Sequence, residues 1–390
     1  MYMKKSMIKG IVSVIFASAL LCSCDLLDLT PKAAVTVKTY FKNESELELY
    51  ANRFYYDILP GGSGIYKEIG DNMIWIPLAS EVSLTRTVPE KGGGWSFEAL
   101  RHINFLLENI GNCPDAAAVR KYTGVAKFFR AHYYFNMVKR FGDVPWLDHV
   151  PGTDDPDLYK ARDSRDVVMG KVIEDIDEAI RLFKKENSTK DLYHVTWWTA
   201  MALKSRICLF EGTFRKYHGL GDSEKWLRLC VESSETLMNA TRGYSLYTSG
   251  TQPYRDMFTS DIAKSVEVIL ARDYDQSASL PNYVLGTFNT PGEGRCGFTK
   301  KFVNSYLMAD GTRFTDKPDY DKIEFVNEVS GRDPRLAQTI RTTKGLNFSN
   351  CITGYQPHKY IVEANLGSSA ASYNDLPLFR MAEVYLNYAE

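Results

Sequence analysis

The sequence is 390 residues long, 44% apolar, with a formal net charge of −1 and seven cysteines. That length and apolar content allow one large domain or two ordinary ones with a sizeable core. The near-neutral charge leaves no basic footprint for nucleic acid and no polybasic patch for a membrane surface, so charge favours neither as a partner. The cysteines form no CxxC pair and no Cys/His zinc spacing, so neither a metal nor a full disulfide framework is expected.

Residues 1–23 have the anatomy of a secretory signal, with Lys4, Lys5 and Lys9 ahead of an apolar run from Ile11 to Leu21. The run is too short for a transmembrane helix, which needs about 20 apolar residues. Small Ser23 followed by Cys24 has the form of a lipidation site, and an acylated Cys24 would tether the protein to a membrane without crossing it. Residues 24–44 then read as a polar tether. Ser45 and Glu48 are spaced as a capping box, and Leu47, Tyr50, Ala51, Phe54, Tyr55 and Ile58 form one buried helical face ended by Pro60-Gly61-Gly62. From Gly61 to Gly94 the periodicity is lost. A region this long without pattern is functional or disordered, and its apolar residues and rings argue for function. Tyr66, Trp75 and Trp95 are the candidate ligand-contacting rings. Its glycine runs contain neither GK[ST] nor GxGxxG, which excludes a phosphate cradle.

RHINFLLENI makes a helix ending near Gly111. Tyr122–Trp146 follows as one long aromatic-rich helix, apolar around so much of its circumference that it must lie among other helices. Gly142 and Pro145 stop it, and Arg130 and His132 within it read as structural. Ser164 caps the next helix, with Asp166 in its first turn. That helix buries Met169, Val172, Ile176 and Ile180, and its Glu174, Asp175, Asp177 and Glu178 read as a solvated face. Thr196–Phe210 is a helix with small residues for close approach, followed by a loop GTFRKYHGLGD and a partner helix through Trp226, Cys230 and Leu237. Cys208 and Cys230 read as small core residues. Pairs of about fifteen-residue helices joined by short loops suit a tetratricopeptide-like scaffold, although no clean 34-residue repeat is visible.

From about Tyr244 the segments are short and mixed. Val266–Ala271 reads as a strand. Tyr274, Tyr283 and Phe288 sit in the irregular stretch after it and complete the candidate ligand rings. Asp316, Asp319 and Asp321 lack EF-hand spacing and read as a solvated loop. GRDPRL at 331–336 precedes AQTIRT, read as extended, and LFRMAEVYLNYAE opens a helix in which the chain ends.

Several of these stretches resemble one family. FFRAHYYFNMVKRFGDVPW, GRDPRL and LFRMAEVYLNYAE, supported by the acidic DLLDLTP after Cys24 and by EGTFRKYH, are similar to segments of the SusD/RagB proteins, surface nutrient-binding lipoproteins of Bacteroidetes-type bacteria. The resemblance implies a mainly α fold, with tetratricopeptide-like helical hairpins forming a right-handed scaffold, long irregular loops and a little β structure. It implies a lipoprotein signal at 1–23, a lipidated tether at 24–44 and a SusD-like domain at 45–390. That domain would have a helical part at 45–243 and an irregular part at 244–390 that breaks off within a helix. The function implied is non-enzymatic and without cofactor: a lipid-anchored protein exposed on the outer membrane captures oligosaccharides and delivers them to a SusC-like TonB-dependent transporter. Alternatives are a peptide-binding RagB-like lipoprotein and a glycan-degrading enzyme, the latter needing two facing carboxylates that no motif here pairs.

Overall fold

The structure, a computed structural model, describes residues 40–66, 70–184, 189–240, 243–284, 288, 296–342, 351–362 and 371–390. The leader, Cys24 and most of the tether lie outside the described residues.

Helix α1 (Glu44–Ile58) is capped by Asn43, two residues before the expected Ser45. Asn43 Oδ1 accepts from the Glu46 N–H at 3.0 Å, and Glu46 reaches back to the Lys42 N–H at 2.8 Å. The reciprocal cap is therefore built from Asn43 and Glu46, because Asn serves an N-cap at least as well as Ser. Leu47, Ala51 and Phe54 are buried along the face that the spacing marks out. After a short α2 (Gly62–Tyr66) and strand β1 (Met73–Ile74), α3 (Glu98–Asn109) buries Leu100, Ile103 and Leu106.

Helix α4 (Ala116–Phe141) is the centre of the fold. It starts six residues before the expected Tyr122, since Asp115 accepts from the Ala117 and Ala118 N–H groups and Ala116–Ala118 are strong helix formers. Phe128 to Phe135 are buried without a break. More than two full turns hidden on every side require neighbours all round, and α1, α3, α5 (Arg165–Phe183) and α6 (Trp197–Tyr217) supply them. Gly142 ends α4 at φ +71°, its N–H bonded to Val138 O, a conformation only glycine adopts at little cost. Helix α6 runs seven residues past the expected Phe210. Arg215 pairs with Glu211 one turn earlier at 2.7 Å and holds together a segment that reads as loop. α7 (Ser223–Met238) packs along α6 as α5 packs along α4, and Cys208 and Cys230 are buried between the elements as expected.

The remainder is shorter and looser: α8 (Pro253–Thr259), β2 (Val268–Arg272), β3 (Gly297–Phe298), α9 (Lys300–Ser305), α10 (Phe325–Glu328), α11 (Pro334–Thr339), β4 (Leu376–Arg380) and α12 (Met381–Ala389). The AQT of AQTIRT is helical and not extended, because Asp333 caps the Arg335 N–H and Pro334 occupies the first helical position. β2 and β4 pair antiparallel, Val268 opposite Arg380 and Arg272 opposite Leu376, with register shifts around Leu270 that accommodate Pro377. β1 pairs with β3. α12 lies against α6 and α7: Arg206 grips Glu383 with two bonds of 2.5 and 2.6 Å, and Asn387 donates to Ser205 Oγ at 3.0 Å. A first core joins α1 and α3–α7 with Ile269, Leu270, Phe379 and α12. A second gathers Met73, Phe288, Phe298, Val303, Leu336 and Tyr355. The described fold is mainly α, with little strand, as expected.

Candidate functional site

A cavity of about 610 Å³ opens between α3 and the segment 145–162. Its apolar lining includes Trp95, Phe97, Leu100, Pro145, Leu147, Pro151 and Leu158, and its polar lining Glu98, Arg101, Asn104, His149, Asp157, Lys160 and Arg162. That size and mixture, apolar walls with a few placed polar groups, is what a small-ligand site has.

The local sequence explains how Trp95 comes to stand there. Gly92, Gly93 and Gly94 have φ of +78°, +67° and +83°, three successive left-handed residues that side chains would strain. The KGGGW stretch thereby turns the indole onto the end of α4, 4.6 Å from the Phe141 ring and 5.7 Å from Phe97, both edge-on. The Arg162 guanidinium lies 5.1 Å from the Trp95 ring centre, within cation–π range.

The opposite wall is a loop closed at its base by the mutual backbone bonds of Val144 and Asp163. Asp163 also accepts from the Trp146 N–H at 2.7 Å and pairs with Lys160 at 3.0 Å. Asn104 of α3 donates to the carbonyls of Leu147 and His149, both at 3.0 Å, and Glu108 accepts from the Val150 N–H at 2.6 Å. Tyr134 of α4 accepts from the Leu147 N–H at 2.6 Å. Behind Asn104 stands buried Arg130, which donates to Asn104 Oδ1 at 3.1 Å and clasps Asp175 with bonds of 2.5 and 2.9 Å. Lys127 adds a third contact to Asp175 at 2.7 Å. Asp175 therefore departs from the expected solvated face: it is 3% exposed, buried by α4 lying over that side of α5. Arg130 is structural, as expected. So is His132, which burial holds neutral with its pKa down at about 3.

At the rim, His149 Nε2 meets Asp155 Oδ2 at 3.0 Å and lies 3.7 Å from Asp157, and its Nδ1 lies 3.5 Å from Asp148. These three side chains, His149, Asp155 and Asp157, bring ligand-type atoms within 4.8 Å of one another. The hydrogen bond to Asp155 raises the His149 pKa above its ordinary value of 6.5. A raised pKa means that the protonated imidazole is favoured in the folded state. Its stabilising contribution is full below pH 6.5 and is lost as pH climbs through the folded-state value. In an NMR titration His149 is expected to titrate above the ordinary value and to return towards it in Asp155→Asn; no response to that substitution would rule out the pairing.

Of the five expected rings whose side chains are described, only Trp95 lines this cavity. Trp75 leans on Phe288 with ring centres 6.0 Å apart, and Phe288 is itself buried in the second core. Tyr274 packs partly on that same core, its N–H donating to Asp375 at 3.2 Å. Tyr283 is exposed. Tyr66 ends α2, and its side chain lies outside the described residues. Phe97, Arg101, His149 and Arg162 were missed because a helix flank and an Asp/Pro-rich loop carry no spacing motif; the loop's length after the Gly142 stop was the one available signal. Asp316, Asp319 and Asp321 are exposed, in keeping with a solvated loop. No helix among the described residues is long and apolar enough to cross a membrane.

Two family models match the sequence. One, described as starch-binding associating with outer membrane, covers residues 95–209. The other, described as SusD family, covers 343–390. No curated protein matches the chain. Among solved structures, a SusD-like protein from Bacteroides fragilis superposes with a TM-score of 0.71 at 22% identity, covering 90% of this chain and 75% of that one. A SusD-like carbohydrate binding protein from the same species gives 0.70 at 18% identity, over 90% and 74%. B. fragilis NanU gives 0.59 at 16% identity, over 92% and 75%. The first family match begins at the cavity's own Trp95 and runs through the α4–α6 core, the second ends in α12, and the fold is shared with these SusD-like structures.

Proposed function

We propose that the protein binds a glycan in the Trp95 cavity and delivers it to a SusC-like TonB-dependent transporter, from an outer-membrane position held by lipid on Cys24. The observation that carries the reading is the half-buried indole of Trp95, fixed by its glycine turn and by Phe141, beside polar groups mounted on a wall pinned from α3 and α4. Pyranose rings present apolar C–H faces to an aromatic plate and hydroxyls to flanking donors and acceptors. The relatives described as starch-binding and carbohydrate binding support the same reading. Trp75, Tyr274 and Tyr283 belong to it as further rings outside this cavity, with buried Phe288 acting only through Trp75.

The test is calorimetric titration of a glycan panel into the wild-type chain and into Trp95→Ala. Removing the plate is expected to weaken binding about tenfold or more, with the helical circular dichroism unchanged. Products shorter than the glycan supplied would overturn the non-enzymatic reading, and binding of peptides but of no glycan would favour the RagB-like one.

A further inference from the structure

Charge on the cavity wall is unevenly satisfied. Of its two carboxylates, Glu98 is paired with Arg53 at 2.9 Å, and Asp157 lies 3.7 Å from the imidazole of His149. Of its cations, Lys160 is paired with Asp163 at 3.0 Å. The two arginines differ. Arg101 projects from α3 and Arg162 from the opposite wall; both line the cavity, both are exposed, and among the described residues neither has a carboxylate partner. Arg162 is held over the Trp95 ring instead, which fixes a planar five-donor fork beside the plate. The acids that face the cavity are thus already answered, and two guanidinium groups on opposite walls are not.

From this we infer that the cavity selects glycans carrying an anionic group, a uronate carboxylate or a sulfate, with the sugar ring on Trp95 and the anion between Arg101 and Arg162. Arginine forks match carboxylate and sulfate oxygens with two parallel charge-assisted bonds, and such bonds are stronger than neutral ones. A neutral pyranose would use the plate and leave both forks to water. The inference rests on the glycan reading above and narrows it to a chemical class.

The test uses one ring with and without its charge: oligogalacturonate and its fully methyl-esterified form, titrated into the wild-type chain, Arg101→Gln, Arg162→Gln and the double variant, beside neutral gluco-, manno- and xylo-oligosaccharides and sulfated chondroitin oligosaccharides. An acidic glycan is expected to bind about tenfold or more tightly than its neutral counterpart. That preference should shrink in each single variant and vanish in the double one. Raising salt should weaken acidic binding and leave neutral binding nearly unchanged. Both arginines are exposed and, among the described residues, have no ion-pair partner, so circular dichroism should report intact folds. Equal affinity for charged and neutral forms overturns the inference while leaving glycan binding standing, as does a preference that survives the double variant. Binding of no glycan in the panel overturns the glycan reading, and the inference falls with it.

Discussion

Replacing Asp175 by alanine is expected to destabilise the protein by about 3–5 kcal/mol, because it leaves the buried Arg130 charge without its counter-ion. Arg130 is 4% exposed, so water cannot take the carboxylate's place without opening the α4–α5 contact. Asp177, two residues along the same helix, provides the control. It pairs with Lys204 at 2.6 Å but its side chain is 48% exposed, so Asp177→Ala is expected to cost about 1 kcal/mol or less. Denaturant melts of the two variants make the comparison, and similar midpoints would refute the buried-pair account. Replacing both members, Arg130→Met with Asp175→Leu, should recover much of the loss. The same chain of bonds continues through Asn104 to the carbonyls of Leu147 and His149. The double replacement is therefore expected to restore stability but still loosen the cavity wall, and with it ligand affinity.

Arg332→Leu is expected to have the second large effect, about 3 kcal/mol or more. The Arg332 guanidinium donates to Val303 O and Tyr306 O at 2.7 Å, Glu328 O at 2.9 Å and Leu307 O at 3.4 Å, and it lies 4.1 Å from the Phe314 ring centre. One buried side chain thus satisfies carbonyls from α9, α10 and the turn after α9. Lysine carries the charge but not the planar fork, so Arg332→Lys should recover only part of the loss. Because these contacts serve the second core, amide exchange should accelerate around residues 303–340 well before it does in α4. Uniform loss of protection, or none, would contradict this placement.

These two arginines also show how much the sequence discloses. Arg130 was readable as structural from its place in a helix apolar on all sides, and α4's central role followed from that same pattern. Its partner was not readable, since Asp175 stands among three other acids on α5 and only the packing of α4 over one side of that helix distinguishes it. Arg332 was visible as part of GRDPRL, a family signature, yet the four carbonyls it serves are set by tertiary turns that carry no periodicity. The same limit applies to the cavity. Trp95 was identified as a candidate ring, but Arg101 and Arg162 come together from segments about 60 residues apart in the chain, a distance no local motif reaches. Phe288 shows the reverse error of emphasis: a ring in an irregular stretch suggests a surface, and here it fills a core.

The anchoring of β2, β4 and α12 on the helical stack has one further consequence. Val268 is bonded opposite Arg380, and Arg206 grips Glu383, so the chain between β2 and β4 leaves the stack and returns to adjacent points on it. The cost of closing such an excursion grows only with the logarithm of its length, about 0.6 kcal/mol for each doubling. Residues can thus be added to or removed from the irregular loops of this arm at small thermodynamic cost, provided the two feet and the second core stay in place. An architecture of this kind can change what it presents to the outside over evolutionary time while α4 and its neighbours go on folding as before.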